Sequence, residues 1–252
     1  MDAKNIKIII LAAGKGKRMK SEEPKALTKL QGKPFLKHIL ETLNRFNPEI
    51  KPIIVVGYKK ERILEVFGDG YTYAIQEEQL GTGHAVKSAR SAIDSPHETV
   101  LVLSTDQPLI SKETLARIFS VHTEKKPTIT LGTVVVPDYE DWRVGLYSNF
   151  GRVVRTENGQ VEKLVEFKNA NDEEKKIKEV NPAIYLFNAK WLWENIEKIQ
   201  LNEARGEYLF TDIIKIAFDQ NKKIEAVPVA NIIEGLQPNS QEELEILEKL
   251  IV

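Results

Sequence analysis

The chain reads as an α/β protein, a mixed and mostly parallel sheet flanked by helices, with a β-richer second lobe. Three observations carry that reading. The runs Ile8–Leu11, Ile53–Val56 and Val100–Leu103 are apolar throughout and have the length of strands buried on both faces. Stretches with helical apolar spacing alternate with them through the first half, the rhythm of parallel strands with crossover helices. The first run breaks directly into Ala12-Ala13-Gly14-Lys15-Gly16, a turn in which small residues bring backbone N–H groups close to a ligand.

The elements follow in order. After the glycine turn, Phe35, Leu36, Ile39, Leu40, Leu43 and Phe46 fall on one face of a helix predicted over 34–46. Ile53–Val56 is the second strand, and Glu61–Phe67 a helix stopped by Gly68. Tyr71–Ile75 is a third strand, Gln76–Gly83 a polar loop, Ala85–Ile93 a helix and Val100–Leu103 a fourth strand. In the second half Thr128–Val136 alternates β-branched residues. Arg152–Arg155 and Val161–Phe167 flank Glu157-Asn158-Gly159, a hairpin signal. Val180–Phe187 and Ile224–Val229 are further strands, and helices are predicted over Ala189–Ile199, Leu209–Asp219 and Gln241–Ile251. No repeat, low-complexity tract or linker divides the sequence. Residues 1–252 are therefore expected to form one domain, with a first lobe over about 1–125 and a second over 126–252 facing it across a cleft.

The totals narrow the function classes. With 252 residues the chain can bury a sizeable core, and its net charge of −1 gives no electrostatic footprint for nucleic acid. Zero cysteines exclude disulfides, thiolate chemistry and Cys-ligated zinc. No long apolar segment follows the N-terminus, so a signal peptide or membrane span is not expected, and the protein is expected to be cytoplasmic.

In open parallel sheets ligands sit beyond the carboxyl ends of the strands. Three polar segments follow predicted strands. The first, Gly14-Lys15-Gly16-Lys17-Arg18 with Lys25 after Pro24, joins a glycine turn to clustered cations, as a nucleotide's phosphates require. It is neither the phosphate loop of mononucleotide hydrolases, which has four residues between its glycines where Gly14 and Gly16 have one, nor the dinucleotide fingerprint, whose third glycine would replace Met19. The second, Gln76-Glu77-Glu78-Gln79-Leu80-Gly81-Thr82-Gly83-His84, offers two amides suited to a base edge; it could equally cap the following helix. The third is Asp106, a carboxylate that can hold Mg²⁺ or simply form a turn before Pro108.

Leu-Ala-Ala-Gly-x-Gly-x-Arg-Met followed by Pro-Lys resembles the signature of the sugar-phosphate nucleotidyltransferases. Gln-x-x-Gln-Leu-Gly-Thr-Gly-His-Ala is similar to the base-recognition loop of their N-acetylglucosamine-1-phosphate uridylyltransferase branch. The resemblance runs from Ile8 to Leu250. It implies the Rossmann-like nucleotide-diphospho-sugar transferase fold, with a β-rich sugar-binding lobe. It also implies that Leu11, Ala12, Ala13, Gly14, Gln76, Gln79, Gly81 and Thr82 bind the nucleotide, and that Gly151, Glu166 and Asn181 bind the sugar. Asp106 would hold Mg²⁺, with Gln237 completing the site; Asn239, two residues on, offers the same amide oxygen. The chain departs from the family pattern at Thr105 and Ala183, where glycine is usual, at Pro182, and at Gln237, where asparagine is usual.

By this resemblance the substrates are a nucleoside triphosphate and a sugar 1-phosphate, most closely UTP and N-acetylglucosamine 1-phosphate, with UDP-N-acetylglucosamine and pyrophosphate as products. The sugar phosphate already carries an anionic oxygen, so alignment and charge compensation suffice and no general base is needed. Arg18 and Lys25 are the expected catalytic cations, and His84 is read as structural. Thymidylyl, guanylyl or cytidylyl transfer, or a non-catalytic sugar-nucleotide sensor, remain alternatives. Many family members continue into a hexapeptide-repeat acetyltransferase domain that these 252 residues do not contain, so acetyl transfer is not expected of them. A homo-oligomer is compatible with the sequence.

Overall fold

The computed structural model describes residues 5–19 and 21–251; the side chain of Lys17, one of the cations named above, and the first four residues lie outside the described part. Nine strands form the main sheet: β1 (Ile6–Leu11), β2 (Ile53–Val56), β3 (Thr72–Ile75), β4 (Thr99–Ser104), β5 (Ile129–Val135), β6 (Gly151–Arg155), β7 (Val161–Val165), β8 (Glu179–Asn188) and β9 (Ile224–Pro228). Their order is β9-β5-β8-β4-β1-β2-β3, with the β6–β7 hairpin carried on the end of β8. β1 pairs in parallel with β2 and β4, whereas β8 runs antiparallel to β4 and β5. The sheet is thus mixed and mostly parallel, as expected.

Alternation along the central strands divides the core. Ile8, Ile10, Ile54, Val56, Leu101 and Leu103 pack on one face beneath α1 (Phe35–Phe46), α4 (Lys112–Lys125) and α9 (Gln241–Leu250). Ile9, Ile53, Val55, Val100 and Val102 pack on the other beneath α3 (Thr82–Ala89), α7 (Ala189–Asn195) and α8 (Asp212–Asp219). Burial on both faces is why these strands are continuous apolar runs rather than alternating ones.

Several elements differ from expectation. α4 had no counterpart in the sequence reading, although Leu115, Ile118, Phe119 and His122 occupy helical spacing and all four are buried. Its start is fixed by Ser111, whose Oγ accepts from Thr114 N at 3.1 Å. α2 runs Lys60–Phe67, and two short helices, α5 (Asp141–Tyr147) and α6 (Asp172–Lys175), also went unforeseen. α3 begins at Thr82, inside the expected loop, and ends at Ala89 in a 3-10 turn. α8 begins at Asp212 rather than Leu209, and Thr211 stands at its N-cap without a side-chain capping bond. No helix among the described residues is long and apolar enough to cross a membrane.

Candidate active site

A cavity of about 500 Å³ opens beyond the carboxyl ends of β1 and β4, lined by residues of all three predicted segments. Leu11, Ala13, Gly14, Lys25, Gln76, Gln79, Gly81, Thr82 and Asp106 all face it. Ala12 does not; it is buried in the core, and its N–H donates to Val55 O at 2.8 Å, holding the start of the turn to β2. Arg18 sits exposed in a 3-10 turn, Lys17–Met19, away from the lining. Tyr58, Ser104 and Glu207 also line it, although the sequence assigns none of them a role in the site. Tyr58 follows β2, so the carboxyl-end rule applied to that strand would have found it.

Backbone requirements explain the glycines. Gly16 has φ +65°, and a Cβ there would lie 2.9 Å from the Cβ of Lys25. Lys25 N donates to Gly14 O at 3.2 Å, so the turn folds back over the lysine's stem. Gly81 has φ +96°, and a Cβ would come within 2.6 Å of the Tyr208 carbonyl. That approach exists because Tyr208 N donates to Leu80 O at 2.7 Å, tying the Gln76–Gly83 loop to the second lobe.

The two glutamines are partly spent within their own loop. Gln76 Nε2 donates to Gly81 O at 3.0 Å, and Gln79 Nε2 donates to Gln76 O at 3.1 Å. Their Oε1 atoms and the second Nε2 hydrogen of Gln79 are the groups left to read a ligand. Thr82 Oγ1 accepts from Phe210 N at 3.0 Å and keeps its own hydroxyl hydrogen. His84 Nδ1 lies 3.0 Å from Glu78 O, the structural role expected of it.

Lys25 is the electrostatic centre. Its ammonium donates to Asp106 Oδ2 at 2.8 Å and to Asn239 Oδ1 at 2.7 Å, with side-chain exposures of 11% for the lysine and 19% for the aspartate. Burial alone would raise the Asp106 carboxyl, but the charge and hydrogen bond of Lys25 override it and hold the group below its ordinary value. Asp106 Oδ1 is buried with no hydrogen-bond partner among the described residues. Thr105 does not crowd the carboxylate: its hydroxyl turns back to Leu11 O at 3.0 Å.

Of the two amides that the sequence offers for the place beside Asp106, Gln237 is engaged elsewhere. Its amide nitrogen donates to the Pro182 carbonyl, whereas Asn239 supplies the amide oxygen that shares Lys25 with Asp106. Asn239 is held there by its Nδ2 donating to Gln237 O at 2.7 Å and its N–H donating to Glu243 Oε2 at 2.7 Å.

Gly151, Glu166 and Asn181 form a second cluster rather than part of the cavity wall. Gly151 pairs with Asn181 across β6 and β8, and a Cβ on Gly151 would lie 3.9 Å from Glu166 Oε1. Asn181 Nδ2 donates to Tyr185 Oη at 2.7 Å. Burial pushes the Tyr185 phenol up, opposed by Asn181 and reinforced by Glu166. The ring of Tyr185 meets that of Phe210, whose N–H reaches Thr82, so the two clusters share a wall. Behind Gly151, Arg152 is 1% exposed and pairs with no carboxylate among the described residues; it donates to the carbonyls of Ser148, Phe150 and Lys175 between the rings of Tyr139 and Phe167.

A glycine turn, a cation and a carboxylate at the mouth of a mixed sheet define a nucleotidyltransferase architecture. The chain matches the MobA-like NTP transferase domain over residues 8–213, and it belongs to that family. It is 40% identical over 247 residues to the bifunctional protein GlmU of Clostridioides difficile, covering 98% of this chain and 52% of that protein. It is 38% identical over 243 residues to GlmU of Streptococcus mutans, covering 96% and 51%. The chain therefore spans about half the length of these curated relatives. Among solved structures, a UDP-glucose pyrophosphorylase complexed with UDP-glucose superposes with a TM-score of 0.75 at 17% identity, covering 97% of each chain. A 4-diphosphocytidyl-2C-methyl-D-erythritol synthase from Anaerococcus prevotii gives 0.65 at 19% identity, covering 99% of each. Those two likenesses establish the nucleotide-diphospho-sugar transferase fold.

Proposed function

We propose that this chain joins a sugar 1-phosphate to a nucleoside triphosphate, releasing pyrophosphate, with UTP and N-acetylglucosamine 1-phosphate as the substrates. The observation that carries the reading is the convergence of Gly14, Lys25, Gln79 and Asp106 on one cavity. Those four residues lie as far as 92 positions apart in the sequence, and they supply phosphate contact, charge, base contact and a cation ligand respectively. The similarity to GlmU proteins supports the choice of uridylyl transfer and of the amino sugar.

The residues present fit a magnesium ion. Asp106 Oδ1, which has no partner among the described residues, and Asn239 Oδ1, which accepts from Lys25, are the hard oxygen donors that would hold it. Bound there, the ion would supply charge neutralisation for the departing pyrophosphate. The chain's own residues do the rest. Backbone amides of the 13–16 turn face the phosphates, Lys25 stabilises charge growing on the reacting phosphoryl group, and the cavity wall from Gln76 to Thr82 orients the base. Gly151, Glu166 and Asn181 are the proposed sugar contacts, and Arg18 is assigned to the triphosphate's outer end, where its exposure leaves it free to reach.

One assay tests the reading: pyrophosphate release from UTP, N-acetylglucosamine 1-phosphate and Mg²⁺, repeated with the other three common triphosphates and with chelator. Release that depends on both substrates and stops on chelation is expected. Lys25→Ala should lower turnover by about 100-fold or more, the scale of losing one preorganised transition-state contact. Nucleotide binding without any pyrophosphate release would instead assign the chain as a sugar-nucleotide sensor.

A further inference from the structure

Strand β8 departs from regular pairing between Val180 and Ile184, and the irregular segment Asn181-Pro182-Ala183 is gripped from outside the strand. Gln107 Nε2 donates to the Pro182 carbonyl at 2.7 Å, and Gln237 Nε2 donates to the same oxygen. Gln107 directly follows Asp106, and Gln237 lies two residues before Asn239, the pair joined through Lys25. A single carbonyl therefore ties the end of β4 and the 232–239 segment to the strand carrying Asn181. Gly235 belongs to the same joint, since a Cβ there would run into the Val134 side chain and lie 3.2 Å from the Cβ of Pro182.

Both lone pairs of that carbonyl are used, in a place where Gln107 is 1% exposed. The bulge also holds Ala183 at φ +62°, a left-handed conformation that an L-residue adopts only when its surroundings impose it. Asn181 Oδ1 accepts from Ala183 N at 3.1 Å, so the side chain's direction follows the bulge. If the grip loosens, the strained segment relaxes first and carries Asn181 with it.

We propose that Gln107 and Gln237 are positioning residues that set Asn181 against the Asp106–Asn239 pair, and so fix where the sugar-phosphate acceptor sits relative to the reacting nucleotide. This rests on the function proposed above. Neither glutamine lines the nucleotide cavity, so the inference concerns acceptor placement alone.

The test uses Gln107→Met and Gln237→Met, which keep side-chain length and lose the donor, together with the double variant. Steady-state kinetics are measured separately for UTP and for N-acetylglucosamine 1-phosphate, alongside the melting temperature. Each single variant is expected to raise KM for the sugar phosphate by about tenfold, the order expected for a sub-ångström misplacement, with KM for UTP within about twofold of the parent. Because both amides act through one carbonyl, the double variant should be little worse than the poorer single one. Unchanged acceptor KM in both singles overturns the proposal, as do equal rises for both substrates, or fully additive losses. If Gln107→Met does not fold, Gln237→Met, whose side chain is only half-buried, carries the test alone. A parent inactive with every substrate pair would sink the functional reading itself; an active parent with unaffected variants would sink only this inference.

Discussion

At Ala183 a methyl group sits where the backbone turns left-handed, with φ +62°. A left-handed L-residue costs roughly 1–2 kcal/mol, and glycine gives back about 0.4–1 kcal/mol through the freedom of the unfolded chain. Ala183→Gly should therefore stabilise the protein by about 0.5–1 kcal/mol, read from denaturant midpoints at constant slope; a loss of stability would refute the strain. Gly81 presents the opposite case, because its φ of +96° and the 2.6 Å approach of Tyr208 O leave no room for a side chain. Gly81→Ala should move the loop off the second lobe and weaken nucleotide binding by at least about tenfold, for a cost of 1.4 kcal/mol or more. Calorimetric titration with UTP checks it, and unchanged affinity would mean the loop does not meet the nucleotide.

At the scale of elements, the helix α4 shows how one packed polar residue links folding to pH. His122 points into the α4–β5 interface, its Nδ1 2.8 Å from Thr130 Oγ1, and burial pushes its pKa down to about 4. The unfolded chain binds a proton near pH 6.5 and the folded one does not, so stability is complete above that value and falls as the pH drops toward 4. The full difference approaches about 3 kcal/mol at 1.36 kcal/mol per unit. Unfolding curves between pH 7 and 4.5 should show this loss in the parent and a shallower one in His122→Gln. Parallel curves would show that the histidine is protonated without penalty. The β6–β7 hairpin depends on a different device, since Arg152 buries its charge against three carbonyls and two ring faces rather than a carboxylate.

Taken as a whole, the molecule carries one core on each face of one sheet, and neither face can open without breaking the strands they share. Trp142 packs on the face of α1, α4 and α9, and Trp191 and Trp193 on the face of α3, α7 and α8. Variants retaining only Trp142 or only Trp191 should report the same unfolding midpoint, and UTP with Mg²⁺ should raise both together. Two separated midpoints would mean that the two faces of the sheet unfold independently.

The short apolar runs determined the strands by themselves, because a strand buried on both faces has no polar position to confuse its period. The glycine turn, the Gln76–Gly83 loop and Asp106 were likewise legible, each being polar and each following such a run. α4 was passed over although its period was present, since His122 and Thr114 interrupt the apolar face and only burial shows that both face inward. Asn239 rather than Gln237 beside Asp106 was decided by tertiary structure. Two amides spaced by a proline offer the same chemistry in sequence, and only the carbonyl of Pro182, brought from a strand more than fifty residues away, claims one of them and leaves the other for Lys25. Sequence specifies local backbone and burial, whereas the partner of a polar side chain depends on which distant group the packed sheet sets within 3 Å of it.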